Sequence, residues 1–132
     1  MGLPSGEASD ASARIHEALR AIEHLSGVTI AVKLGDAGAV LGQGEGWRAL
    51  PAFPVEARDT TGCGDAFVAG FLLALARGAP LEVAGRLGNA LGALTATRPG
   101  AAEALPSLPE ARAFLAARGA RAELAVLDDE AA

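Results

Sequence analysis

Nine residues constrain this chain more than any others: Asp59-Thr60-Thr61-Gly62-Cys63-Gly64-Asp65-Ala66-Phe67. Two glycines flank one cysteine, an aspartate follows, and a long apolar run extends from Ala66 to Ala76. That run carries Phe67, Val68, Phe71, Leu72, Leu73 and Leu75 and reads as a helix buried on most sides. The glycine turn therefore sits at a helix N-terminus. There the first backbone N–H groups have no intrahelical partner, and the macrodipole adds about half a positive charge. Glycine lets the backbone approach a ligand with no Cβ in the way. Together these features make a pocket for an anion, with phosphate the first candidate.

Asp65 has two readings on local chemistry alone. A carboxylate in the first helical turn complements the dipole or caps the helix. The same carboxylate beside an anion pocket can act as a general base, taking a proton from a hydroxyl while the amides stabilise charge on a transferred group. Cys63 is open in the same way. A thiol at a helix N-terminus can be reactive, but a nucleophilic cysteine enzyme needs a histidine base. His16 and His24 are both distant in sequence and read as surface or packing residues. A small neutral filler is the favoured role for Cys63.

Composition bounds the rest. The 132 residues suffice for one domain, and 51% of them are hydrophobic, too many for a disordered chain. No apolar run is long enough to span a bilayer and no signal-peptide pattern opens the chain, so a cytoplasmic protein without a membrane partner is the default. A single cysteine excludes an intrachain disulfide and a cysteine metal cluster. The net charge of −5 argues against a nucleic-acid partner.

In chain order, residues 1–10 are expected to fray, and Asp10 or Ser12 caps a helix that runs to about Leu25 and stops at Gly27. Val28 to Val32 is β-branched and reads as a strand buried on both faces, leading into a Lys33-Leu34-Gly35-Asp36-Ala37-Gly38 turn. Ala39-Val40-Leu41 is a second strand, Gly42 to Gly46 a glycine-rich hairpin loop, and Trp47 to Leu50 a third strand. Pro51 and Pro54 mark an edge. Gly78 ends the helix that follows the glycine turn, and Pro80 starts the next, Leu81 to about Ala96. Gly88 and Gly92 share one face of that helix, for close helix packing or for a flat ligand lying against it. A last helix spans Pro109 to Ala117, and residues 119–132 read as a frayed, solvated acidic tail.

The run DTTGCGDAF resembles the second signature of the PfkB (ribokinase-like) family of carbohydrate and nucleoside kinases, D-T-x-G-A-G-D, with Cys63 where alanine is commonest. The similarity extends from about Val28 to about Phe114. It implies an α/β fold, a partial three-layer αβα ribokinase-like domain. It also implies that the chain, 1–132, is a single domain corresponding to the C-terminal nucleotide-binding portion of such a kinase. The implied reaction is transfer of the ATP γ-phosphoryl group to a hydroxyl of a sugar or nucleoside, with Asp65 as base and the amides of Gly62, Cys63 and Gly64, with that of Asp65, holding the anion. Lys33, Gly35, Asp36 and Gly38 resemble the T-x-G-x-x-G element that lines the nucleotide phosphates, with Lys33 in the place of the threonine. Asn89-Ala90-Leu91-Gly92-Ala93 resembles the N-A-x-G-A segment near the adenine, which assigns Asn89 and Gly92 to the nucleotide. ATP and Mg²⁺ are the implied cofactors. A monovalent-cation site for K⁺ is implied at Asp59, Thr61, Arg98 and Gly100, although Ala104 replaces a frequent serine.

The resemblance is partial. The family's first signature, its sugar-binding aspartate, its β-lid and its N-x-x-E element have no counterpart here, and members are more than twice as long. The chain alone is therefore expected to be inactive, and apolar surface left uncovered is expected to drive self-association. The alternative is a non-catalytic nucleotide-binding or assembly module derived from such a kinase.

Overall fold

The computed structural model describes residues 29–34, 38–43, 46–99 and 105–128. Three strands, β1 (Thr29–Lys33), β2 (Ala39–Gln43) and β3 (Gly46–Leu50), form an antiparallel sheet in the order β1-β2-β3. β-branched Thr29, Ile30 and Val32 suit β1 to a pleated surface. The β2–β3 register pairs Gly42 with Trp47 and Gln43 with Gly46, so the ladder runs to the tip of the hairpin. Gly42, Gln43 and Gly46, expected in a five-residue loop, are strand residues, because antiparallel pairing continues through them. β1 is half-buried along most of its length rather than buried on both faces, because among the described residues it pairs with β2 alone.

Four helices follow: α1 (Cys63–Ala76), α2 (Leu81–Ala96), α3 (Leu108–Ala117) and α4 (Arg121–Leu127). The helix expected between Asp10 or Ser12 and Leu25, with His16 and His24, lies outside the described residues. So does any layer it would add on a second side of the sheet.

α2 is the centre of the core. Its Ala84, Leu87 and Ala90 are fully buried, as are Ala74 of α1 and Leu115 of α3. Glycines set how close its neighbours come. At Gly85 a Cβ would meet the side chains of Leu41 and Leu50, so this residue seats α2 on the sheet. Across the other interface a Cβ on Gly70 of α1 would lie 3.1 Å from the Leu87 carbonyl oxygen. Gly78, at φ 76, gives α1 its left-handed stop, and the Gly78 and Ala79 amides donate to the Leu75 and Ala74 carbonyls.

Three boundaries depart from the sequence reading. α1 starts at Cys63, three residues before Ala66, because the turn itself enters the helix. It is not buried on most sides: Val68, Leu72 and Leu75 are exposed. The segment expected to fray from residue 119 holds α4, with Val126 and Leu127 buried and Glu123 paired to Arg86 at 2.7 Å. Apolar residues at 124, 126 and 127 provide the anchor, and the Arg77 guanidinium donates to the Val126 carbonyl. Ser107 caps α3 in a reciprocal box with Glu110, which moves that helix start to Leu108.

Candidate active site

The segment from Pro51 to Thr60 has no regular structure, yet it is held at both ends. The Asn89 side-chain amide donates to the Pro51 carbonyl at 3.2 Å. The Arg58 and Asp59 amides both donate to the Ala96 carbonyl, at 2.7 and 3.1 Å. The segment therefore lies along α2 and encloses with it a cleft of about 460 Å³. One wall is Phe53, Val55 and Ala57. The other is the α2 face at Gly88, Asn89, Gly92, Ala93 and Ala96. The cleft ends on the first turn of α1, at Cys63 and Gly64, with Lys33 and Gly38 from the β1–β2 turn beside them.

The first turn of α1 is built by Gly62, whose φ of 82 and ψ of −7 only glycine adopts at low cost. The Thr61 amide donates to Asp59 Oδ1 at 2.9 Å, which fixes the entry to this turn. The Cys63 amide donates to the Thr60 carbonyl at 3.2 Å. Expected to face an anion, it instead closes the turn, because the tight bend brings that carbonyl within reach. The first bond of the helical ladder runs from the Ala66 amide to the Gly62 carbonyl at 3.0 Å, so the amides of Gly64 and Asp65 precede it.

Six of the sequence-derived residues meet at this cleft: Lys33, Gly38, Cys63, Gly64, Asn89 and Gly92. Asp65 is exposed on the same turn of α1 and does not line the cleft. Gly35, Asp36 and Gly100 lie outside the described residues. Asn89 is buried with its amide nitrogen committed to the chain at Pro51, so its visible work is to position the cleft wall. Gly88 and Gly92 serve close helix packing, since Cβ atoms there would meet the Phe67 ring and the Cys63 carbonyl, and both also line the cleft.

Burial, and secondarily the Asp59 carboxylate, pushes the Cys63 thiol above its ordinary value, which suits a neutral filler rather than a thiolate. Asp59 is tied to the C-terminal end of α2 by its amide bond to the Ala96 carbonyl, Thr61 follows through its bond to Asp59 Oδ1, and the Arg98 guanidinium pairs with Glu110.

Sequence reasoning missed Thr60 and the apolar wall of Phe53, Val55 and Ala57. That segment lacks periodicity and gave no signal. Ala93 and Ala96 were not assigned to the site either, although their helical spacings of four and seven from Asn89 could have placed them on its face.

The pfkB family carbohydrate kinase model matches residues 4–108 of the sequence. The chain belongs to the pfkB carbohydrate kinase family. The matched region begins well before Val28 and stops short of Phe114. An ATP-dependent ribose-1-phosphate kinase of Halopiger xanaduensis is 44% identical over 89 residues, 67% of this chain and 30% of that protein. An uncharacterized sugar kinase of Archaeoglobus fulgidus is 44% identical over 79 residues, 58% of this chain and 31% of that protein. The pfkB chain thus spans about a third of the length of such relatives.

Solved structures agree on the ribokinase-like α/β fold. Ribokinase from Thermotoga maritima is 40% identical with a TM-score of 0.64, over 67% of this chain and 30% of its own. Fructokinase from Vibrio cholerae, in a form with fructose, ADP and calcium bound, is 36% identical with a TM-score of 0.68, over 76% of this chain and 35% of its own.

Proposed function

We propose that this pfkB chain supplies the nucleotide cleft and the general base of a kinase that moves the γ-phosphoryl group of ATP to a hydroxyl of a sugar. A single observation carries this reading: an apolar cleft of about 460 Å³ ends on a helix N-terminus, with an exposed aspartate on that same turn. The apolar walls suit a planar base. The Gly64 and Asp65 amides, with that of Gly62, suit the terminal phosphate.

Asp65 takes the proton from the acceptor hydroxyl as that oxygen attacks the γ-phosphorus and the bond to the ADP oxygen breaks. The helix end stabilises the phosphoryl group during transfer. Mg²⁺ accompanies the nucleotide's phosphates and offsets their charge; among the described residues no group of three acidic, histidine or cysteine side chains forms a separate site for it. A monovalent cation, K⁺, would take oxygens of Asp59, Thr61 and Arg98, which follow or are tied to the C-terminal end of α2, with Gly100 beyond the described residues. The acceptor side is not built by the described residues.

The test is phosphoryl transfer from ATP to a panel of sugars and nucleosides. It is measured for this chain and for a polypeptide that carries it at the length of its relatives. Asp65→Asn is expected to lower the rate of the longer form by about 10²- to 10⁴-fold while leaving nucleotide binding in place. A longer form that keeps Asp65, binds ATP and transfers to none of the acceptors supports instead a non-catalytic nucleotide-binding or assembly module.

A further inference from the structure

We propose that Phe114 of α3 is a positioning residue for the nucleotide base, acting through the Phe53 ring in the cleft wall. The proposal rests on the kinase reading above and names what holds its base-binding wall in place. Hydrogen bonds tie the segment that carries this wall at Pro51 and again at Arg58 and Asp59. Between those ties, among the described residues, none engages residues 52–57. Side-chain packing therefore sets where Phe53 stands.

Phe53 is half-buried, and its ring meets that of Phe114 at a centroid distance of 5.9 Å and an interplanar angle of 56°. Aromatic quadrupoles favour such a tilted pair over a face-to-face one. Phe114 is buried and does not itself line the cleft. It is fixed in turn from the surface. The guanidinium carbon of exposed Arg118 lies 3.6 Å from the centroid of the Phe114 ring. The same guanidinium donates to the Phe114 carbonyl at 3.4 Å. A cation over an aromatic face is attracted to it, so one arginine holds both the ring and the backbone of this residue. Phe53 is thereby ordered before a ligand arrives. Ordering one such side chain during binding instead would cost about two- to tenfold in affinity.

The experiment measures Mg-ATP and Mg-ADP binding by calorimetry, well below the melting temperature of each protein. It compares the parent chain, Phe53→Leu, Phe114→Leu and the double variant. Phe114→Leu is expected to weaken both nucleotides by the same factor, about three- to tenfold, because the base is common to them. In the Phe53→Leu background the same substitution is expected to add little, since position 114 acts through position 53. A residue that only filled the core would lower the melting temperature and leave the affinity of the folded chain unchanged. Arg86→Met, a destabilising change away from the cleft, is the control for that behaviour. If Phe114→Leu does not fold, Arg118→Met decides, because it removes the cation at an exposed position and empties no core. It is expected to weaken ADP binding about twofold or more. Parent-like affinity in folded Phe114→Leu, or losses that add in full in the double variant, overturns the role of Phe114 and leaves the kinase reading standing. Parent-like affinity in Arg118→Met does the same where Phe114→Leu is unfolded. A folded parent chain that binds neither nucleotide overturns both.

Discussion

Phe67 of α1 packs closely against the backbone of Gly88 in α2: a Cβ at position 88 would come within 2.9 Å of the ring and of the Phe67 carbonyl oxygen. Neither partner can give easily, because Phe67 is buried and stacked on Phe71 at 5.8 Å. Gly88→Ala is therefore expected to destabilise the fold by about 1–3 kcal/mol through overpacking, even though alanine favours a helix. One turn on, the Cβ of Gly92→Ala would meet the Cys63 carbonyl at 3.3 Å. That substitution is expected to leave stability within about 1 kcal/mol and to weaken ADP binding by narrowing the cleft. Thermal melts and nucleotide titrations of the two variants separate packing from binding.

Arg86 and Glu123 hold α4 against α2 through a 2.7 Å contact in which the carboxylate is only 4% exposed. Removing the guanidinium leaves that charge buried without its partner, which costs far more than a surface pair. Arg86 itself is 43% exposed, which moderates the loss. Arg86→Met is expected to cost about 1–3 kcal/mol in denaturant unfolding. Arg48→Met, which breaks a pair exposed at 68% and 47%, is expected to cost about 1 kcal/mol or less. Equal losses for the two would show that burial of Glu123 does not set the energy.

What the sequence disclosed follows from how local the signals are. α2 was legible from Leu81 to about its last residue because proline precedes it and its apolar positions repeat at helical spacing. The strands were legible from β-branched residues, and the turn that opens α1 from its two glycines. The burial of α1 was misjudged, because a helix apolar all round does not say which of its faces is covered. α4 was missed because its short, alanine-rich segment carries three acids just beyond it that suggested a solvated tail. The cleft wall at Phe53, Val55 and Ala57 depends on hydrogen bonds from Asn89 and to Ala96, which no spacing rule connects. The approach of Lys33 to Gly64 is likewise a product of tertiary structure.

Cys63 gives a pH-dependent readout at the same turn. Burial raises the thiol above its ordinary value of 9.0, with Asp59 adding to the effect. Thiolate is the reactive form, so alkylation by N-ethylmaleimide near neutral pH is expected to be slower than for an exposed cysteine and to accelerate as pH rises past that value. The folded state holds its proton more tightly than the unfolded state. Stability from this group is thus present below 9.0 and is lost as pH climbs through the raised value. Once alkylated, Cys63 is expected to crowd the cleft end and slow any phosphoryl transfer. Full modification with nucleotide binding and transfer unchanged would take the thiol out of the site.

Val68, Leu72 and Leu75, exposed by 46%, 56% and 37%, fall at i, i+4 and i+7 and form one stripe along α1. Asp65 heads the same face, three residues before Val68. A contiguous apolar stripe of this kind favours burial against another surface, and the chain on its own is expected to self-associate through it. Leu72→Glu places a charge at the middle of the stripe without disturbing a buried contact, so it is expected to shift the chain toward monomer in sedimentation velocity while leaving the circular dichroism spectrum unchanged. Leu105→Glu, equally exposed at 56% but outside α1, is the matched control and is expected to leave association as it was. Association over this stripe also covers the exposed carboxylate of Asp65. Raising the concentration of the parent chain should therefore reduce access of a carboxyl-directed carbodiimide to Asp65, and Leu72→Glu should restore it. A parent chain that sediments as a single monomer across the concentration series would rule the stripe out as an interface between copies.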